Sequence, residues 1–317
     1  MTEPALHFVD CADASGGHRM AWWQWGDDRS AHVVLCVHGL SRQGRDFDVL
    51  AQALVERAGG GLRVVCPDVV GRGRSDWLRD PAGYQVPQYA ADMAALLARL
   101  HQEAPIGTLD HVGTSMGGLI GIVLAGHREL PLPAPVRRLV LNDVGPAIEA
   151  SAIARIAGYV GQGGRYASLE DAAEAMGRIS TGFGPHTPAQ WLALSRHMVV
   201  PAAQRSADGR AKVEGAAPGD DGALVLHYDP AIAVAIRAIT PEIAAQAEAA
   251  TWALYDAIGA QTLLVRGAQS DLLAPATARA MTERGPRARL VEFEGVGHAP
   301  TFVPPAQVEA VASFLLD

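Results

Sequence analysis

Gly113-Thr114-Ser115-Met116-Gly117 follows an apolar run and leads directly into a segment of helical pattern. This is the G-x-S-x-G arrangement of a nucleophile elbow. Small residues on either side of the serine let the chain turn sharply from strand to helix and leave the hydroxyl projecting at the sheet edge. A Gly-rich pentapeptide can equally be an ordinary loop, so its meaning depends on what else the chain contains.

Three further segments supply that context. Val33-Val34-Leu35-Cys36-Val37 is an unbroken apolar run of buried-strand type that ends in His38-Gly39-Leu40. Leu263-Leu264-Val265 runs into Arg266-Gly267-Ala268-Gln269-Ser270-Asp271, which sets an acid just past a strand end. Leu290-Val291-Glu292-Phe293 leads into Gly295-Val296-Gly297-His298, a glycine-flanked histidine in a loop. Serine, then acid, then histidine is one of the chain orders in which catalytic triads occur. On these residues the chain resembles the α/β-hydrolase superfamily over nearly its whole length, in the capped, serine-nucleophile branch of esterase- or lipase-like and carbon–carbon bond hydrolase-like enzymes.

Apolar strand-like runs alternate with longer helical patterns, as in βαβ units wound into a mostly parallel sheet. An antiparallel hairpin is expected over residues 6–12 and 19–25, with strands over 33–37, 63–66, 109–112 and 138–142. Helices are expected over residues 47–58, 86–102 and 117–127, the first stopped by Gly59-Gly60-Gly61. The helix behind Ser115 aims its N-terminal amides and dipole at the nucleophile loop and favours negative charge there. After Gly145-Pro146 the alternation gives way to a long Ala-rich, helical stretch with no clear strand before Leu263. The resemblance implies a helical cap over the active site in this stretch, at residues 147–245. Residues 1–146 and 246–317 then form an α/β-hydrolase core with a doubly wound, mostly parallel sheet. Residues 202–222 hold hardly any large apolar side chain, a composition expected to give a mobile loop.

A serine hydroxyl is a poor nucleophile until a base accepts its proton, so Ser115 requires a histidine within hydrogen-bond reach. His298 is the candidate, in a loop that can return its imidazole to the elbow. The acid must lie beside that imidazole to orient it and stabilise its charged form. Asp271, after the penultimate core strand, is preferred. Asp143, in Leu141-Asn142-Asp143-Val144-Gly145-Pro146, is the alternative acid, because it also follows a strand at the same edge. Of the two oxyanion donors, one is the amide of the residue after the nucleophile, Met116. The resemblance points to the amide of Leu40 as the other. His38 is assigned a structural role, shaping that loop through ring bonds to backbone, and His38, Gly39 and Phe183 are expected to border the substrate pocket.

Pro67-Asp68-Val69-Val70-Gly71-Arg72-Gly73-Arg74-Ser75-Asp76 mixes glycine and arginine after a strand but lacks the third glycine and the helix of a dinucleotide fingerprint. The resemblance makes it a loop bordering the pocket. His186, His197 and His227 show no metal-ligand spacing, and neither metal nor cofactor is expected.

With 49% hydrophobic residues, 317 residues can bury a sizeable core. Twenty-six basic against 34 acidic residues leave a net charge of -8 without a basic patch, which argues against nucleic acid. No signal-peptide pattern and no long apolar span occur, so a cytoplasmic, soluble protein without membrane attachment is expected. The three cysteines, Cys11, Cys36 and Cys66, show no C-x-x-C spacing and are expected to be buried free thiols. Oligomeric state is not written in the sequence, a homodimer being the commonest assembly for soluble enzymes.

These readings converge on a serine hydrolase that cleaves a carboxylic ester of a small to medium acyl compound through an acyl-enzyme, with water as co-substrate. The same triad also serves carbon–carbon bond hydrolysis of β-diketone-type substrates and lactone opening, and a non-catalytic ligand-binding protein on this fold is the reading from another class.

Overall fold

The computed structural model describes residues 3–203 and 222–317. The loop expected over residues 202–222 lies, but for its ends, outside the described residues. Eight strands form one sheet in the order β1 (Ala5–Cys11), β2 (His18–Gly26), β4 (Arg63–Asp68), β3 (His32–Val37), β5 (Thr108–Thr114), β6 (Val136–Asn142), β10 (Gln261–Gly267) and β11 (Arg289–Phe293). β1 pairs with β2 and β2 with β4 in antiparallel fashion, and every later neighbour is parallel.

Helices cover both faces of this sheet, which is why its central strands read as unbroken apolar runs rather than alternating ones. Val33, Leu35 and Val37 of β3 pack with Met93 and Leu97 of α2 (Val86–Glu103) and with Ile120 and Leu124 of α3 (Met116–Gly126). Val34 and Cys36 point the other way, against Leu50 and Leu54 of α1 (Asp48–Arg57) and Val311 and Leu315 of the C-terminal helix Pro305–Leu316. Each such fully buried side chain contributes roughly 1.5–3 kcal/mol of transfer free energy. Pro87, in the first turn of α2, helps to start that helix because its missing N–H would be unpaired there anyway. The three cysteines are free and buried.

Between β6 and β10 the described residues form α4 (Ala150–Tyr159), α5 (Leu169–Ile179), α6 (Pro188–Arg196) and a small antiparallel sheet of β7 (Arg165–Tyr166), β9 (Leu224–Leu226) and β8 (Val199–Pro201). The sequence reading expected no strand here; strands of two or three residues are too short to reveal a period of two. Caps set the helix starts: the Ser168 hydroxyl accepts from the Asp171 amide, and Thr187 with Gln190 forms a capping box. Helix Pro241–Asp256 returns the chain to the sheet so closely that a Cβ on Gly126 would lie 2.3 Å from the Leu254 carbonyl oxygen.

The loops that follow β3, β5, β6, β10 and β11 all emerge at the carboxyl edge of the parallel strands, where open α/β sheets bind their ligands. No helix among the described residues is long and apolar enough to cross a membrane.

Candidate active site

Ser115 sits between β5 and α3 with φ 51°, in the left-handed region that side chains rarely adopt. Its neighbours explain how that turn is possible. A Cβ on Gly113 would lie 2.2 Å from the Gly117 carbonyl oxygen, and one on Gly117 would lie 1.9 Å from that of Val37. Only glycine fits at either position, so the chain can fold back tightly enough to project the serine. The Ser115 amide donates to the Asn142 carbonyl at 2.9 Å, which ties the elbow to the end of β6.

The imidazole of His298, in the loop after β11, lies between two oxygens. Its Nε2 is 3.0 Å from Ser115 Oγ and its Nδ1 is 2.7 Å from Asp143 Oδ2. With Nδ1–H donating to the carboxylate, Nε2 is left as the acceptor for the serine proton. Asp143 follows β6, has φ 53° and is fully buried. Its carboxylate also accepts from the Gly267 amide at 3.0 Å and the Ser270 hydroxyl at 2.6 Å. Three donors, two from the end of β10 and the loop after it and one from the histidine loop, thus satisfy a charge that burial would otherwise penalise.

The preference for Asp271 is corrected on geometry. Its carboxylate is 49% exposed and forks onto Arg155 of α4, with Nε–Oδ2 2.7 Å and Nη2–Oδ1 3.0 Å. β10 and β6 are adjacent and end at the same edge, so spacing alone could not separate the two acids. The segment after β10 reaches the site through a different residue, Ser270, whose hydroxyl holds Asp143. Sequence reading missed that role, as it missed Asn142, whose side-chain amide donates to Thr114 Oγ1 at 3.0 Å and to the Pro300 carbonyl at 2.7 Å and so pins the histidine loop.

The Leu40 and Met116 amides flank this constellation. Neither donates to another described residue, and Met116 opens α3, whose first amides point at the serine. Fully buried Arg72 ties the two residues together. Its Nε donates to the Leu40 carbonyl at 2.8 Å, and its Nη2 lies 3.6 Å from Met116 Sδ. The Gly-Arg-Gly-Arg stretch therefore serves protein architecture through Arg72. His38 is bonded to backbone on both ring nitrogens: Nδ1 donates to the Gly39 carbonyl at 2.7 Å and Nε2 accepts from the Val69 amide at 2.9 Å. Burial, reinforced by Arg72 and Arg42, pushes this imidazole down to about 3, so it stays neutral.

A cavity of about 290 Å³ opens above Ser115 and His298. His38, Gly39 and Leu40 line one side, and Ile156, Tyr159, Met176, Ile179 and Phe183 line the other. Phe183 stacks on Trp191 with ring centroids 6.0 Å apart. Away from this cavity, Cys11, His18 and Asp92 bring potential metal-ligand atoms within 4.8 Å of one another, but both His18 nitrogens already meet carboxylates, of Asp13 at 2.9 Å and Asp92 at 3.1 Å.

The α/β hydrolase fold family model matches residues 32–305. A 3-hydroxybutyrate-oligomer hydrolase of Cupriavidus necator is 48% identical over 312 residues, 98% of this chain and 97% of that protein. Among solved structures, an α/β hydrolase from Novosphingobium aromaticivorans is 33% identical with TM-score 0.78, covering 99% of each chain. An esterase from Exiguobacterium antarcticum is 18% identical with TM-score 0.65 over 98% of this chain and 99% of its own, a likeness of fold alone. With its mostly parallel sheet and a family match across most of its length, the chain belongs to the α/β hydrolase fold family and is a hydrolase.

Proposed function

We propose that this protein cleaves carboxylic esters through an acyl-enzyme, and that oligomers of 3-hydroxybutyrate are its substrate class. The observation that supports this most directly is the imidazole of His298 held between Ser115 Oγ and the buried Asp143 carboxylate. In this reading Nε2 takes the serine proton as Oγ attacks the ester carbonyl and then hands it to the departing alcohol. Asp143, rather than Asp271, orients the ring and stabilises the imidazolium. The Met116 and Leu40 amides receive the oxyanion, each such donor being worth about 2.7–4 kcal/mol in acyl-transfer sites. Water, activated by the same histidine, releases the acyl group, so these residues and water complete the cycle. The helices between β6 and β10 act as a cap over the cavity.

The substrate reading rests on the name of the Cupriavidus necator relative and on a cavity whose volume and mainly apolar lining suit a short aliphatic ester. The test uses the trimer of 3-hydroxybutyrate and p-nitrophenyl butyrate, with a simple lactone and a vinylogous diketone as controls. The wild type is expected to release monomer and p-nitrophenol, and Ser115→Ala to lose about 10⁴-fold or more of both rates. Retained turnover in that variant, or failure of a fluorophosphonate to label Ser115, would refute the nucleophile. Hydrolysis of p-nitrophenyl butyrate without any of the trimer would leave the ester chemistry standing and remove the substrate class.

A further inference from the structure

We propose that Arg42 reads a free carboxylate on the leaving-group side of the ester, so that the site selects anionic, hydroxy-acid esters over neutral ones. This inference rests on the ester-hydrolase reading above and adds a binding role for one side chain.

Arg42 belongs to the loop that carries Leu40, its amide closing a turn onto the Gly39 carbonyl at 3.1 Å. Gly39 stands between it and the nucleophile: a Cβ placed there would lie 3.7 Å from Ser115 Cβ and 3.8 Å from Arg42 Cγ. The stem of Arg42, at Cγ, therefore lies about one residue's width from the serine, and both side chains line the same cavity.

Three partners fix its orientation. Nε and Nη2 fork onto Asp46 at 2.6 and 2.7 Å, Nη2 also donates to the Leu194 carbonyl at 2.8 Å, and the group lies 5.5 Å from the Phe183 ring centre. Nη1, in contrast, donates to no described residue. A side chain only 13% exposed thus keeps two N–H donors unused beside an apolar pocket. Because packing has already immobilised the guanidinium, little conformational freedom remains to be lost when an acceptor arrives.

The charge balance sets the size of the effect. Asp46 neutralises much of Arg42 and lines the cavity too, whereas Arg155, the other arginine among the described lining residues, is forked onto Asp271. An incoming carboxylate meets a directional, charge-assisted hydrogen bond rather than a bare positive field, which supports a preference of about tenfold. In any linear ester of a 3-hydroxy acid with another, the free carboxylate lies on the unit that departs as the alcohol. The bond from Nη1 therefore places that unit while the scissile carbonyl meets Ser115.

The test compares kcat/KM for the 3-hydroxybutyrate dimer with that for the same dimer capped as its terminal carboxamide, which is neutral and adds no second ester. The wild type is expected to favour the acid about tenfold, chiefly through KM. Arg42→Gln is expected to bring the ratio close to one by raising KM for the acid, and Arg42→Lys to hold an intermediate ratio. A wild-type ratio at or below one overturns the proposal whatever the variants do, and so does an unchanged ratio in Arg42→Gln. Hydrolysis of p-nitrophenyl butyrate is measured alongside. If that activity is present while the ratio is one, only the role of Arg42 falls; if it is absent, the ester-hydrolase reading itself has failed.

Discussion

Below the cavity, Leu35, Val112, Leu141 and Val265 are wholly buried, and Gly113 and Gly117 approach backbone so closely that no side chain could be added. Across the cavity, Ile179 is 63% exposed and Tyr159 36%, and the buried apolar residues of that layer fall into small separate clusters such as Ala172, Met176, Met198 and Val199. The two walls differ in tolerance for a physical reason. The proposed proton transfer between Ser115 and His298 needs a hydrogen bond of set length, which only a close-packed sheet edge can hold. The proposed recognition of an aliphatic chain needs apolar surface, which loosely packed helices can offer to more than one shape.

Substitutions on the sheet side should therefore act on kcat or on folding, and those across the cavity on substrate preference. Asp143→Asn would cause the largest loss, about 10⁴-fold in kcat, because an amide favours the wrong tautomer of His298. Asp271→Asn should stay within about threefold, since it breaks only an exposed pair with Arg155. Steady-state kinetics on the two variants checks this, and the reverse ranking would dissolve the contrast. Gly117→Ala would drive a methyl into the Val37 carbonyl and should cost about 4 kcal/mol or more of stability, read from urea unfolding or from loss of soluble protein. A well-folded, active Gly117→Ala variant would show the sheet edge to be softer than its contacts imply.

The pH response of stability should come in large part from the sheet side, although burial also pushes His197, at the end of α6, down to about 4. Burial pushes His38 down to about 3 and His111 to about 4, both from an ordinary 6.5. Below pH 6.5 the unfolded chain takes up protons that the folded protein refuses, so stability present above that pH is lost as pH falls toward these values. Asp68 opposes this, since burial raises it from 3.8 to about 6 and its contribution declines as pH rises through that interval. The melting temperature should nevertheless fall between pH 7 and pH 5, each histidine contributing on the order of 2 kcal/mol. His111→Gln should flatten the slope in thermal melts, and an unaltered slope would exclude that imidazole as a contributor. A modest effect, on KM alone, is expected at Phe183→Ala, which removes a cavity wall stacked on Trp191. A change of under about tenfold in KM, about 1 kcal/mol, with nearly constant kcat and melting temperature, would sharpen the division. Loss of kcat instead would tie that wall to the chemistry.

Local spacing made much of the sheet side legible. The elbow could be read because its glycines are demanded by the turn itself, and β3 because burial on both faces leaves no polar position. Phe183, between two glycines, was expected at the pocket and lines the cavity, whereas the strands Arg165–Tyr166, Val199–Pro201 and Leu224–Leu226 were too short to register. Arg72 stood in a stretch that fails the dinucleotide fingerprint and was expected only to border the pocket; its bonds to Leu40 and Tyr89 cross 32 and 17 residues and show only in the folded chain.

Asp143 and Asp271 mark the boundary most clearly. Both follow apolar strands of the parallel sheet, and residue order alone admits either beside His298. What separates them is position in space: Asp143 turns inward with φ 53° to meet the Gly267 amide and the Ser270 hydroxyl, while Asp271 turns out to Arg155. Neighbouring residues alone determined the core strands, the serine elbow and the histidine loop, because periodicity and glycine sterics act over a few positions. Which carboxylate meets the imidazole, and which partners hold the Arg42 guanidinium, was decided only by tertiary structure, because hydrogen bonds between distant segments depend on where strand ends converge.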